Sequence, residues 1–155
     1  MGRQSADFLR KIGLRQARGI VFGSETWQEV ARNMTKELNE AKFFNVKYKT
    51  KKGVRLVPSK VYSKMVARTT AAEANRQGTI NRMVAWGWDL VLVTDISRFE
   101  GSPCIPYQGK SLSISGKTKG YTPLEEARAN GFNHPNCIHS LSFSSENKKL
   151  IRQSK

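Results

Sequence analysis

Residues 58–94 read PSKVYSKMVARTTAAEANRQGTINRMVAWGWDLVLVT, and a change of rhythm inside this stretch decides the fold. Val61, Tyr62, Met65, Val66, Thr69 and Ala72, then Ile80, Met83 and Val84, recur at three- and four-residue spacing, the period of a helix with one buried face. Pro58-Ser59 opens that helix, Gly78 is a place where it could break, and Trp86-Gly87-Trp88 ends it. The run Asp89-Leu90-Val91-Leu92-Val93-Thr94 that follows is short and apolar, as expected of a strand covered on both faces. A long helix leading into a buried strand points to a mixed α+β architecture.

Upstream, residues 6–21 read as a helix with a basic face of Arg10, Lys11, Arg15 and Arg18, stopped by Gly23. Ser24 is the expected N-cap of a second helix, with Glu25 in the first turn where a carboxylate meets the positive end of the dipole. Trp27, Val30, Ala31, Met34, Leu38 and Ala41 mark its buried face. Phe44, Val46 and Tyr48 then alternate with Asn45, Lys47 and Lys49, and Lys51-Lys52-Gly53 turns the chain into Val54-Arg55-Leu56-Val57, a β-hairpin pattern. Its tip and one face are expected to carry Lys47, Lys49, Lys51, Lys52 and Arg55, for phosphate contact or as guards of an exposed edge.

Downstream, residues 108–116 alternate Leu112 and Ile114 with serines as a strand. Thr122-Pro123-Leu124-Glu125 carries a helix-start pattern of threonine cap, first-position proline and glutamate reaching back, and Gly131 ends that helix just before His134. The expected order is N-terminal helices and a β-hairpin, a long central helix, then a small antiparallel sheet with a loop-rich C-terminal part that holds the cysteines and histidines. Residues 1–22 read as a basic helical arm, 23–145 as the domain and 146–155 as a basic flexible tail.

The 155 residues suffice for one modest core. They carry 27 Lys and Arg against 12 Asp and Glu, a net charge of +15, and residues 1–76 alone hold 17 against 6. A field of that sign draws polyanions with a grip that weakens as salt rises, which points to non-specific contact with double-stranded DNA. Nothing resembling a zinc finger, an RNA-binding aromatic motif or a helix-turn-helix is present to read sequence. No apolar run approaches the roughly 18 residues of a membrane span, and the N-terminus matches neither a secretory signal nor a myristoylation pattern. The expected compartment is a reducing cytoplasm, where the cysteines stay free or hold metal.

Both cysteines and both histidines fall in the 36 residues from Cys104 to His139. Cys104, His134, Cys137 and His139 are the ligand set of a tetrahedral structural zinc site, and His-x2-Cys-x-His is short enough for one turn to present three of the four. Two other readings stand beside it. In one, the thiols are packed small hydrophobes and the histidines cap loops. In the other, Cys104 or Cys137 is the nucleophile of a Cys-His hydrolase with His134 or His139 as base and Asn136, Asp95 or Asp89 orienting the imidazole, or His134, Asn136 and His139 belong to a metal-dependent nuclease. The chain shows neither a carboxylate cluster for magnesium nor a glycine-rich phosphate loop, so the expected class is non-enzymatic. Arg68, in the middle of the long helix and followed by Glu73, is expected in a buried or half-buried ion pair that holds this helix to the C-terminal loops.

Five blocks in order, Tyr62-Ser63-Lys64-Met65-Val66-Ala67-Arg68-Thr69, Gly87-Trp88-Asp89-Leu90-Val91, Cys104-Ile105-Pro106-Tyr107-Gln108-Gly109-Lys110, Ser113-Ile114-Ser115-Gly116 and His134-Pro135-Asn136-Cys137, resemble phage minor capsid proteins. The likeness is to the minor capsid protein 2 group within the broader MuF-type head morphogenesis family, and spans residues 20–142. It implies a virion protein made with the portal and capsid genes, present in few copies at the capsid interior or portal vertex. It further implies assembly in the host cytoplasm, portal or capsid proteins as partners, a role in head morphogenesis or DNA delivery, and no small-molecule substrate. Members typically place a basic residue after His-Pro-x-Cys, where this chain has Ile138, and often a histidine in the loop matching residues 97–102, where this chain has none.

Overall fold

The basic N-terminal helix, α1 (Gly2–Val21), packs on α2 (Trp27–Glu40) in a computed structural model that describes residues 2–50, 53–96 and 101–153. Residues divide into two units between Ala74 and Asn75. In the first, α1 buries Ile12 against Met34, Leu38 and Val46, with Phe8, Leu9, Phe43, Val57, Tyr62 and Val66 packed around them. Glu37 of α2 accepts from Arg15 Nη2 at 2.8 Å and Gln16 Nε2 at 2.9 Å, adding a polar clasp beside this core.

The cap of α2 differs from expectation by two residues. Thr26 accepts from the Glu29 backbone N–H while the Glu29 carboxylate accepts from the Thr26 N–H at 2.8 Å, a reciprocal capping box. Ser24 serves the end of α1 instead, since Gly23 adopts φ 69° and returns the Ser24 N–H and hydroxyl to the Gly19 carbonyl. The hairpin forms as β1 (Asn45–Thr50) and β2 (Gly53–Pro58), antiparallel. Lys47 pairs with Leu56 and Arg55 with Tyr48, so Lys47 and Arg55 project from opposite faces rather than one. Lys51, Lys52 and the side chain of Lys49 lie outside the described residues.

The long helix, α3 (Ser59–Ala85), runs unbroken through Gly78, which is exposed with open space where a β-carbon would stand. A glycine costs a helix interior only about 1 kcal/mol, and the buried Arg76 and Ile80 anchor the turns on either side. Its buried face is rotated from the expected stripe: Ser63 and Ala67 are buried, whereas Val61 and Val84 are exposed. Ala67 packs with Val30 and Ala31 of α2 in a small buried cluster.

The second unit is built on β3 (Leu90–Val93), β4 (Ser111–Ser113), β5 (Thr122–Pro123) and β6 (Leu141–Phe143), in the order β5-β4-β3-β6. The fold is mixed α+β as expected, but the β4–β5 pair is parallel. Thr122 and Pro123 are that edge strand and give α4 (Leu124–Ala129) no side-chain cap. Proline is tolerated there because an edge position needs no N–H donor on its outer side. β3 is covered by Ile80 and Met83 of α3 and by Leu112, Leu124, Phe132 and Leu141.

Asp89, at the entry to β3, accepts from the Ser113 hydroxyl, the Thr118 hydroxyl at 2.6 Å and the Ser115 N–H at 2.7 Å, so it pins the loop after β4 rather than orienting an imidazole. Residues 146–153, expected as flexible tail, form α5 (Glu146–Gln153). Asn147 on it is buried, accepts from the Leu90 N–H at 2.9 Å and donates to the Leu90 carbonyl at 2.7 Å, doing the work of a strand where β6 has already ended. Among the described residues no helix is long and apolar enough to cross a membrane.

Candidate metal centre

Cys104 precedes a short 3-10 turn at Ile105–Tyr107, and His134 and Cys137 stand at the two ends of a β-turn closed by the Cys137 N–H donating to the His134 carbonyl at 2.9 Å. The two middle residues explain that turn. Pro135 fixes its own φ, and Asn136 adopts φ 62°, a left-handed value that asparagine tolerates better than most residues. Gly131 suits the close approach of the two loops, because its φ of 99° strains any other residue and a β-carbon there would meet Pro103 Cβ at a tight 3.0 Å.

The ligand atoms of Cys104, His134 and Cys137 all lie within 4.8 Å of one another, so this group could hold a metal ion. The two sulfurs are 3.6 Å apart. A tetrahedral ion with sulfur ligands at about 2.3 Å separates them by about 3.8 Å, so the spacing and the donor set both suit zinc. His134 Nδ1 lies 2.9 Å from the Pro135 carbonyl oxygen. With the proton on Nδ1 for that bond, the lone pair is left on Nε2, 3.4 Å from the Ser102 hydroxyl. His139 is not part of the mutually close trio. It reaches the group through Cys137, with Nδ1 3.4 Å from that sulfur, and its Nε2 is buried without a hydrogen-bond partner.

Both thiols are buried beside Phe132, whose ring stacks edge-on with Tyr107 and tilts toward His139. Burial pushes the Cys137 thiol above its ordinary value, Cys104 adds to the rise, and a bond from the His139 backbone and the charge of Arg76 oppose it. Burial also holds His139 below the ordinary imidazole value, with His134 and Arg76 pushing the same way. A raised, covered thiol is the reverse of an activated nucleophile.

The arginine that ties α3 to the C-terminal loops is Arg76, not Arg68. Arg76 is 1 % exposed and donates from Nη1 to the His139 carbonyl at 2.7 Å. Arg68 is exposed, with its guanidinium 5.5 Å from the Trp27 ring centre, and Glu73 is half-buried. The sequence signal for Arg76 was its place four residues before Ile80 and seven before Met83, on the apolar stripe itself.

The nucleic-acid candidates lie in the first unit. Arg10, Lys11, Arg15 and Arg18 are all exposed, and at 100° per residue they share an arc of about 140° on α1. Arg15 is also the partner of Glu37, whereas Lys47 and Arg55 are exposed on the hairpin. No curated protein and no solved structure matches the chain. Residues 1–145, from the first residues of the basic helix through the Cys/His loops to the last sheet strand, match the family described as phage minor capsid protein 2. The chain therefore belongs to the phage minor capsid protein 2 family.

Proposed function

We propose that this protein is a minor structural component of a phage or prophage head that acts in head morphogenesis or in DNA packaging and delivery. The observation that carries this reading is the family match over residues 1–145. Its partners are portal or capsid proteins, and its place is the capsid interior or portal vertex after assembly in the host cytoplasm. Double-stranded DNA is touched without sequence preference through the cationic arc of α1, within the basic arm 1–22, and through the hairpin. The net charge of +15 supports that contact. A non-catalytic role suits the burial of both thiols.

The Cys/His group is best read as a structural zinc site with Cys104, His134 and Cys137 as ligands and His139 turning in as the fourth. When bound, zinc would cross-link two loops that share only a small core. The chain supplies the turn at Pro135-Asn136, the close contact at Gly131, and Arg76 as the brace for the His139 backbone.

Two experiments test the reading. Elemental analysis of the purified protein is expected to find one zinc per chain, lost in both Cys104→Ser and His134→Ala. Absence of metal together with rapid alkylation of either thiol in the folded protein would sink the zinc site and favour a thiol enzyme. Deleting the coding sequence from an inducible phage is expected to give particles that lack DNA or fail to deliver it, and an undiminished infectious titre would refute the head role.

A further inference from the structure

A groove in the first unit lies between α2 and the start of α3 and encloses about 710 Å³. Its floor is mostly apolar and follows one side of α2 from Trp27 through Ala31 and Thr35 to Asn39. The thirteen residues from Trp27 to Asn39 rise about 18 Å, the length of roughly three turns of a second helix laid alongside. Arg32 and Lys36 stand along the α2 side and Lys60 and Lys64 on the α3 side, against Glu40 as the one carboxylate among the lining residues. Arg68 adds a further cation at the Trp27 end.

We infer that this groove receives an acidic amphipathic helix of a partner protein, its apolar stripe on the floor and its carboxylates against the four flanking cations. Helix-in-groove recognition needs both parts, an apolar trough for side chains at three- and four-residue spacing and flanks of opposite charge for orientation. Duplex DNA fits less well, because a hydrated phosphate backbone gains nothing from an apolar floor. A second copy of this chain is a poor occupant, since it carries a net charge of +15 and its own N-terminal helix is basic. The inference stands apart from the DNA and zinc readings, because it uses different residues from both.

The test uses the full chain and three helix-stapled peptides of roughly 18 residues. All share one leucine stripe, and their flanks are glutamate, glutamine or lysine. Fluorescence anisotropy is expected to show the glutamate peptide binding about tenfold or more tighter than the glutamine peptide, with the lysine peptide weakest. Lys60→Glu combined with Lys64→Glu should weaken the glutamate peptide by about tenfold or more and narrow its advantage, while Thr35→Trp should block all three by filling the floor. Circular dichroism checks that the variants fold, and Gln28→Trp replaces Thr35→Trp if that variant does not. Equal binding of the three peptides, no binding of any, or binding untouched by the filling variant overturns the proposal. A short DNA duplex that binds where no peptide does, and is lost on the lysine reversals, makes the groove a nucleic-acid surface and overturns it as well.

Discussion

Arg76 sits 1 % exposed with its guanidinium on the carbonyl of His139, a charge held indoors by the loop it braces. Truncation to alanine removes a large buried side chain and leaves that carbonyl without this donor, so Arg76→Ala should cost about 3–5 kcal/mol in urea unfolding. Zinc retention should fall with it if the loop carries the metal. Asp89 makes a second residue-level case. Partial burial pushes its carboxyl upward, yet the bonds from Ser113, Thr118 and Ser115 outweigh this and hold it below the ordinary aspartate value. A lowered folded value means the stabilisation is complete above the unfolded value and is lost as pH falls through the folded one. Asp89→Asn should therefore destabilise by about 2 kcal/mol at neutral pH, and the gap to the native protein should close as pH drops below about 3.8. A gap constant with pH in denaturant titrations would mean that the carboxylate's charge is not what holds the loop.

At the scale of elements, α3 and α5 show what local sequence can and cannot specify. Gly78 is a helical residue with open surroundings, so Gly78→Ala should raise stability by about 0.5–1 kcal/mol, readable as an upward shift in melting temperature. Asn147 acts across the sheet, bonding both backbone groups of Leu90 from a helix 57 positions later. Asn147→Ala leaves a buried N–H and carbonyl at the start of β3 and should cost about 3 kcal/mol, with hydrogen exchange at Leu90 speeding up more than at Val93. The main helices and the hairpin were legible because each repeats a period of 3.6 or 2 over many residues, and β3 because its apolar run is continuous. Short β4 and α4 were legible too, from the Leu112/Ile114 alternation and the helix-start pattern, but β6, three residues long, and β5, two, were not, and Thr122-Pro123 pairs with Leu112 and Ser113 before α4 begins.

On the scale of the whole molecule, the excess of cations governs how the protein meets a polyanion. Arg10, Lys11 and Arg18 are exposed on one arc of α1, while Arg15 is held by Glu37. Each phosphate neutralised releases counterions, so DNA affinity should fall linearly on a log-log plot against salt. Replacing Arg10, Lys11 and Arg18 with serine should flatten that slope by about 3, whereas Arg15→Ser should change it less. A slope indifferent to the triple replacement in filter-binding titrations would refute the proposed DNA contact through α1.

The sequence by itself determined the mixed α+β class, the helical and strand rhythms of the larger elements, the charge, the family resemblance and the concentration of cysteine and histidine after residue 103. These are properties of composition, order and local period, which need no partner from a distant part of the chain. Tertiary structure decided that Cys104, His134 and Cys137 converge while His139 approaches through Cys137, that Arg76 rather than Arg68 is buried, and that Asn147 completes the sheet. Each depends on two segments meeting across tens of residues, and a buried polar group is placed by the need for a hydrogen-bond partner there, which no local pattern encodes.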